Sequence, residues 1–251
     1  EIKWKNFNVD YVLECTGKFN SKDKLSTHLK NGAKKVIVSA PCKNADKTIV
    51  YGVNQKSINK NDLIISAASC TTNCLAPLAY VLNKDFNIEK GFMTTIHSYT
   101  SDQRLLDNSH KDLRRARSAA QSMVPTSTGA SKSISEIIPE LKGKLEGLAI
   151  RVPTPNVSLV DLVFNSKNNL SIKKINESFK KASKKELQNI LETTDEKLVS
   201  TDFNHNPSSA IVDLSLTNVV GNNMGKVTAW YDNEWGFASR MCDLVEYIHK
   251  I

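Results

Sequence analysis

The chain has 251 residues, of which 40% are hydrophobic and 24% charged, with five cysteines and a formal net charge of +8. That size and balance suit one large or two modest globular domains and exclude collagen-like, disulfide-scaffold and wholly disordered chains. No apolar run approaches the ~18 residues of a membrane span, and the odd cysteine count without framework spacing points to a reducing, cytoplasmic compartment.

The excess of positive charge favours anionic partners without choosing among phosphorylated metabolites, nucleic acid and acidic lipid. The first residues, Glu-Ile-Lys-Trp-Lys-Asn, hold neither a signal-peptide core nor an initiating Met. Val9–Cys15 then reads as a buried strand that ends at Thr16-Gly17. Ser21 can cap a helix with Leu25 and Leu29 one turn apart, stopping at Asn31-Gly32. Lys35–Pro41 and Leu63–Ser66 read as further buried strands, and Thr48–Tyr51 as a short one. Strand, helix, strand in so little chain implies parallel pairing with a right-handed crossover.

From Cys70 to Leu82 the pattern is helical, and Gly91–Tyr99 alternates like a strand. Residues 100–126 are polar, Arg-rich and aperiodic, and a long structureless stretch in a compact domain is usually functional. Ser127–Leu141 reads as mostly helical, Leu148–Val152 and Val157–Phe164 as strands, and Ser171–Lys185 as an amphipathic helix whose lysines form a solvated face. Ala210–Leu214 and Lys226–Trp230 read as strands, and Trp235–Ile251 as a closing helix with apolar side chains at helical spacing. The expected class is α/β. An incomplete doubly wound, Rossmann-type unit spans residues 1–69, with the closing helix 233–251 packing back on it. An α+β domain with a mainly antiparallel sheet spans 70–232.

The sharpest chemical segment is Ser66-Ala67-Ala68-Ser69-Cys70-Thr71-Thr72-Asn73-Cys74. A strand ends, Ser69 or a neighbour caps a helix, and Cys70 falls in its first turn, where free N–H groups and the positive helix end favour a thiolate. A two-unit fall in thiol pKa needs about 2.7 kcal/mol, for which the helix end and a nearby imidazolium are the expected sources. A buried structural cysteine is the plain alternative. Cys74, at i+4, reads as packing behind Cys70; Cys15, Cys42 and Cys242 read as core; no spacing argues for a metal. Of five histidines, His28 and His249 read as surface groups, His205 as a turn residue, and His97 as a strand-end group beside the polar stretch. Arg151 ends a strand, where a guanidinium suits bidentate phosphate recognition. Thr126-Ser127-Thr128-Gly129 offers hydroxyls and N–H groups at a helix start. Arg114, Arg115 and Arg117 fit a solvated loop or a subunit contact as well as an anion site. No finger spacing or basic-aromatic patch argues for nucleic acid.

Ala68-Ser69-Cys70-Thr71-Thr72-Asn73-Cys74-Leu75-Ala76-Pro77 resembles the active-site signature of phosphorylating glyceraldehyde-3-phosphate dehydrogenases. The resemblance continues in order through His97–Thr100, Pro125–Ala130, Arg151–Ser158, Ser200–Phe203 and Trp230–Gly236. It implies oxidation of glyceraldehyde 3-phosphate to 1,3-bisphosphoglycerate through a cysteine thiohemiacetal and thioester, with NAD and inorganic phosphate as co-substrates. Cys70 is then the nucleophile and His97 its acid–base partner. One anion pocket would use Thr100 and Arg151 with Arg115 close by; the other would use Ser69, Thr71, Thr128 and Gly129. Thr16, Gly17, Ser39 and Asn233 match cofactor-contacting positions. The family is homotetrameric, and residues 100–126 match a loop that packs across its subunit interface.

Departures from the family pattern are Ala67, where Asn is usual, and Phe237, where Tyr is common. No Gly-x-Gly-x-x-Gly occurs, and the resemblance begins only at the later strands of the nucleotide domain. The sequence is therefore expected to be N-terminally truncated and, alone, to hold cofactor poorly and turn over little. The alternatives are erythrose-4-phosphate dehydrogenase, a non-catalytic fragment that binds RNA or another anion, and a thiol hydrolase. The last lacks an assigned residue to orient His97.

Overall fold

The computed structural model describes residues 2–251. In chain order it contains β1 (Tyr11–Glu14), α1 (Lys22–Lys30), β2 (Lys35–Val38), β3 (Lys47–Thr48), β4 (Ile64–Ser66), α2 (Cys70–Phe86), β5 (Ile88–Ser98), β6 (Val124–Ser127) and α3 (Ala130–Ile137). β7 (Leu145–Val152), β8 (Ser158–Ser166), α4 (Ile172–Ser183), β9 (Leu191–Thr194), β10 (Ala210–Asp213), β11 (Asn218–Val220), β12 (Met224–Tyr231) and α5 (Trp235–Lys250) follow.

The first sheet has the order β1-β2-β4-β3, and every pairing in it is parallel. Successive side chains of a strand face opposite sides, so the apolar run Val36-Ile37-Val38 needs cover on both. On one side Leu25 of α1 packs with Val36, Val38 and Ile64. On the other, Met241, Leu244 and Ile248 of α5 pack with Ile37, Ile49 and Ile65. The last helix of the chain thus completes the sheet built by the first residues. Glu14, Val38 and Ser66 are aligned in register, so β1, β2 and β4 end together at one edge.

The second sheet runs β6-β7-β5-β8-β12-β10-β9, with β11 beside β12. Its pairings are antiparallel except β5 with β7 and β9 with β10. One face is buried under α2, α3 and α4, in a core that joins Leu75, Leu78, Ile134 and Phe179 to Met93, Leu162 and Phe164. Strict alternation in β8 between buried and half-buried residues shows that only one face is sealed.

Several local expectations are corrected. The strand expected over Thr48–Tyr51 is the two residues Lys47–Thr48, after which the chain turns with Ile49 and Val50 buried. The helix expected from Ser127 starts at Ala130, and Pro139 opens a separate turn of 3-10 helix. Residues 124–127, read as part of the polar stretch or the helix, form β6; Pro125 is tolerated there because β6 is an edge strand. Strands β9 and β11, also peripheral, carry no alternation strong enough to be read. Cys15 and Cys242 are exposed rather than core, and Cys42 is only partly buried. His28, expected on the surface, is held between Trp4 and Glu14.

Residues 100–123 contain no regular strand or helix, only an isolated bridge between Arg104 and Ser118. Carboxylates hold the segment: Asp107 accepts from Ser118 N–H at 2.7 Å and Arg117 Nε at 2.9 Å, and Asp112 from the Thr126 hydroxyl at 2.7 Å. Among the described residues no helix is long and apolar enough to cross a membrane.

Candidate active site

The segment between β4 and α2 is a sharp elbow. Ala68 adopts φ +59°, an unfavourable left-handed conformation for a residue with a Cβ. The amide nitrogen of Asn73 donates to the carbonyls of Ala67 and Ser69, both at 2.9 Å, and so clamps the turn from inside the helix. Ser69 is the N-cap, its hydroxyl accepting from Thr72 N–H at 3.1 Å. Cys70 therefore begins α2 at the carboxyl edge of the parallel sheet, partly open to solvent, with Cys74 sealed one turn behind it.

The second sheet brings His97 to the sulfur. Cys70 Sγ lies 3.4 Å from His97 Nε2. Nδ1 of the same ring is 2.7 Å from the Ser98 carbonyl oxygen. Nδ1 also lies 2.9 Å from an Arg151 guanidinium nitrogen, which can only donate, whereas the carbonyl can only accept, so these contacts admit either tautomer; with the proton on Nδ1 toward the carbonyl, Nε2 presents its lone pair to the thiol. Arg151, paired across β5–β7 with His97, donates to the same carbonyl at 3.0 Å and lies 3.5 Å from the Thr100 hydroxyl.

The electrostatics differ from the expected thiolate–imidazolium pair. Burial, with Arg151 and then Arg115 adding to it, pushes His97 down to about 4, so the ring is neutral at pH 7. Burial also pushes the Cys70 thiol up, against the opposing pull of Arg151 and the Thr71 hydrogen bonds. The resting pair is thus a thiol and an imidazole, and the cation that acts on both is the Arg151 guanidinium. Two ionisable groups sharing one desolvated pocket with a fixed cation leave little room for a second positive charge.

Thr100 and Arg151 meet beside His97. Arg115 is committed to its own loop: it is ion-paired with Asp102, donates from Nε to Thr126 at 3.0 Å, and reaches the Ser127 carbonyl at 3.3 Å. Thr128 and Gly129 precede α3, with Gly129 as N-cap. Thr71 is buried, and its hydroxyl is 2.9 Å from Tyr231 Oη rather than turned outward. Thr16, Gly17 and Ser39 follow the ends of β1 and β2 on the same sheet edge that leads into Cys70. Asn233 is buried, and its side-chain oxygen accepts from the Ser98 and Ser158 hydroxyls, both at 2.8 Å. Its side-chain amide hydrogens make no hydrogen bond within the described residues. Ala67, one of the departures, is buried and donates its N–H to the Val38 carbonyl; Phe237, the other, packs beside the α5 core.

Two residues of the site had no assigned role from sequence. Tyr231 is fully buried behind the pair, with its hydroxyl 2.9 Å from those of both Thr71 and Thr95 and its ring edge-on to His97. Asp232 is buried and accepts four hydrogen bonds, from Asn156, His205 N–H, Glu234 N–H and Trp235 N–H. Both lie in the Trp230–Gly236 block, where only Asn233 carried an expectation. No group of His, Cys, Asp and Glu among the described residues has the arrangement of a metal site.

A thiol facing an imidazole, seated at a helix start on the carboxyl edge of a parallel sheet, has the groups that covalent thiol chemistry on an α/β scaffold requires. Residues 69–233 match the family profile described as glyceraldehyde 3-phosphate dehydrogenase, C-terminal domain. The chain belongs to the glyceraldehyde-3-phosphate dehydrogenase family and is an oxidoreductase. It is 53% identical over 249 residues to glyceraldehyde-3-phosphate dehydrogenase 2 of Bacillus subtilis (strain 168), covering 99% of this chain and 73% of that protein. It is 54% identical over 243 residues to the glyceraldehyde-3-phosphate dehydrogenase of Cereibacter sphaeroides, covering 97% and 72%. To that of Geobacillus stearothermophilus it is 52% identical over 248 residues, covering 98% and 74%.

Proposed function

We propose that the protein oxidises glyceraldehyde 3-phosphate to 1,3-bisphosphoglycerate in the cytoplasm, using NAD and inorganic phosphate. The observation that carries this reading is the 3.4 Å approach of the Cys70 sulfur to Nε2 of His97, with Arg151 on the far side of the ring. The S–H proton passes to His97 Nε2 as the sulfur bonds to the aldehyde carbon. The imidazolium so formed is a strong acid in this pocket and donates to the new oxyanion, which the Cys70 N–H would help to hold. The product of this step is a thiohemiacetal.

Asn233, Thr16, Gly17 and Ser39 would hold NAD. They fit it because the free amide hydrogens of Asn233 suit the nicotinamide carboxamide, and because the other three line the strand ends where dinucleotides bind in such folds. NAD held there would supply the hydride acceptor for oxidation of the thiohemiacetal carbon to the level of a thioester. His97 removes the hydroxyl proton in that conversion. Inorganic phosphate then attacks the acyl carbon, the C–S bond breaks, and the Cys70 thiolate is released to accept a proton from His97. Arg151 and Thr100 serve one phosphoryl group, with the field of Arg115 behind them; Ser69, Thr128, Gly129 and the N–H of Thr71 serve the other.

The segment 100–123 carries Leu105, Leu106, Leu113 and Met123, each 73–82% exposed. An apolar fringe on an otherwise polar, well-tied loop suits burial against another subunit, in keeping with a homotetramer.

The test is to follow NADH formation by the intact protein with glyceraldehyde 3-phosphate, with and without inorganic phosphate, and with erythrose 4-phosphate in its place. Phosphate-dependent turnover that favours the triose and disappears in Cys70→Ser supports the proposal. Turnover that survives Cys70→Ser, or a preference for the tetrose, sinks it.

A further inference from the structure

One buried carboxylate takes no part in the chemistry above. Glu14 ends β1 and is only 4% exposed. Its Oε1 accepts from the Thr16 N–H at 2.9 Å and from the Thr16 hydroxyl. Its Oε2 lies 3.0 Å from Nε2 of His28, and its main-chain carbonyl accepts from Ser39 N–H at 3.1 Å. The Thr16 hydroxyl in turn accepts from Lys18 N–H at 3.2 Å, closing the turn around Gly17, whose φ is +71°. Residues 15–18 are otherwise exposed, and a side chain at Gly17 would meet nothing within 4 Å. Packing therefore does not order this turn; one carboxylate does.

His28 is itself fixed. Trp4 Nε1 lies 3.1 Å from His28 Nδ1, and an indole N–H can only donate. Nδ1 must accept, so the neutral ring carries its proton on Nε2 and donates it to Glu14. Trp4 and Phe19 flank the ring at 5.9 and 5.8 Å. The Thr16 hydrogen bonds and His28 hold the Glu14 carboxyl below the usual range in spite of its burial.

We infer that Trp4, His28 and Glu14 form a hydrogen-bonded relay that positions Thr16 and Gly17 for the cofactor, with Glu14 as the positioning residue. The inference rests on the proposed assignment of those two residues to the cofactor. The direction of every donor in the relay follows from Trp4, which makes the relay intolerant of an isosteric amide. In Glu14→Gln one end of the amide must face a donor, His28 Nε2–H or Thr16, whichever way it turns. In His28→Gln the amide keeps a donor for Glu14 and an acceptor for Trp4.

Three readouts on the intact protein test this. Nitrogen NMR of His28 should show the neutral Nε2–H tautomer at pH 7. Direct titration with NAD should show affinity falling about tenfold in Glu14→Gln and in His28→Leu, the scale of one lost charge-assisted contact, with His28→Gln close to wild type. The rate of Cys70 alkylation by iodoacetamide should stay within about twofold in all three, since the relay touches no reacting atom. An Nδ1–H or charged His28 overturns the relay. So does unchanged NAD affinity in Glu14→Gln or His28→Leu while Thr16→Val weakens it. Unchanged affinity in Thr16→Val as well removes the cofactor assignment, and the positioning role falls with it.

Discussion

The guanidinium of Arg151 lies 2.9 Å from Nδ1 of His97, at the ring nitrogen remote from Cys70, and the two converge on the Ser98 carbonyl. A fixed cation there acts oppositely on the two partners of the active pair. It disfavours imidazolium and favours thiolate.

Arg151→Gln should therefore raise the His97 pKa from about 4 toward its ordinary 6.5 and raise the Cys70 pKa further. Ring NMR reports the first and the pH dependence of iodoacetamide alkylation the second. Movement of the two groups in opposite directions would contradict the assignment. The same shift makes stability depend on pH. Between about 4 and 6.5 the unfolded chain binds the His97 proton more readily than the folded one, so the contribution of His97 is complete above 6.5 and is lost as the pH falls toward 4. Denaturation midpoints across that window should rise with pH, and less steeply in Arg151→Gln.

Removing either partner of the pair should separate chemistry from binding. Cys70→Ser is expected to show no measurable turnover. His97→Asn should lose about 10²–10⁴ in kcat, the usual contribution of a positioned acid–base group. NAD affinity should change little in either, because neither touches the turns after β1 and β2. A binding titration beside the kinetic assay checks both.

The two anion pockets predict a split in KM. Thr100→Val should raise KM for the phosphorylated aldehyde about five- to tenfold and leave KM for inorganic phosphate nearly unchanged, as expected for loss of one hydrogen bond to a charged group. Thr128→Val should do the reverse. If both variants move the same constant, the pockets have been assigned wrongly.

Tyr231→Phe strips the hydroxyl that joins the first turn of α2 to β5 through Thr71 and Thr95. Two buried hydroxyls then lose a partner, at a cost of about 1–3 kcal/mol. For a chain of this size, each kcal/mol lowers Tm by roughly 2–4 °C. Repeating the substitution in a Thr71→Val background should cost less, since one of the stranded partners is already gone.

Much of this molecule was legible in one dimension. Apolar runs bounded by turn residues marked β1, β2 and β4, and the Ser69-Cys70 junction marked a strand-to-helix elbow, because burial pattern and capping are local properties of the chain. The resemblance then singled out Cys70, His97 and Arg151. Edge elements escaped: β6, with Pro125 at a half-covered margin, has neither the run of a buried strand nor the period of a helix.

Which groups meet was decided only in three dimensions. Cys70 and His97 are 27 positions apart in the chain, and His97 and Arg151 54 positions apart, which says nothing of distance until β5 pairs with β7 and α2 docks beside them. Protonation followed the same rule. A helix start suggested a thiolate, but the pocket that burial creates, and the cation it already holds, leave the thiol and imidazole neutral. Charge state depends on everything packed around a group, and a sequence lists those neighbours without saying which of them will be near.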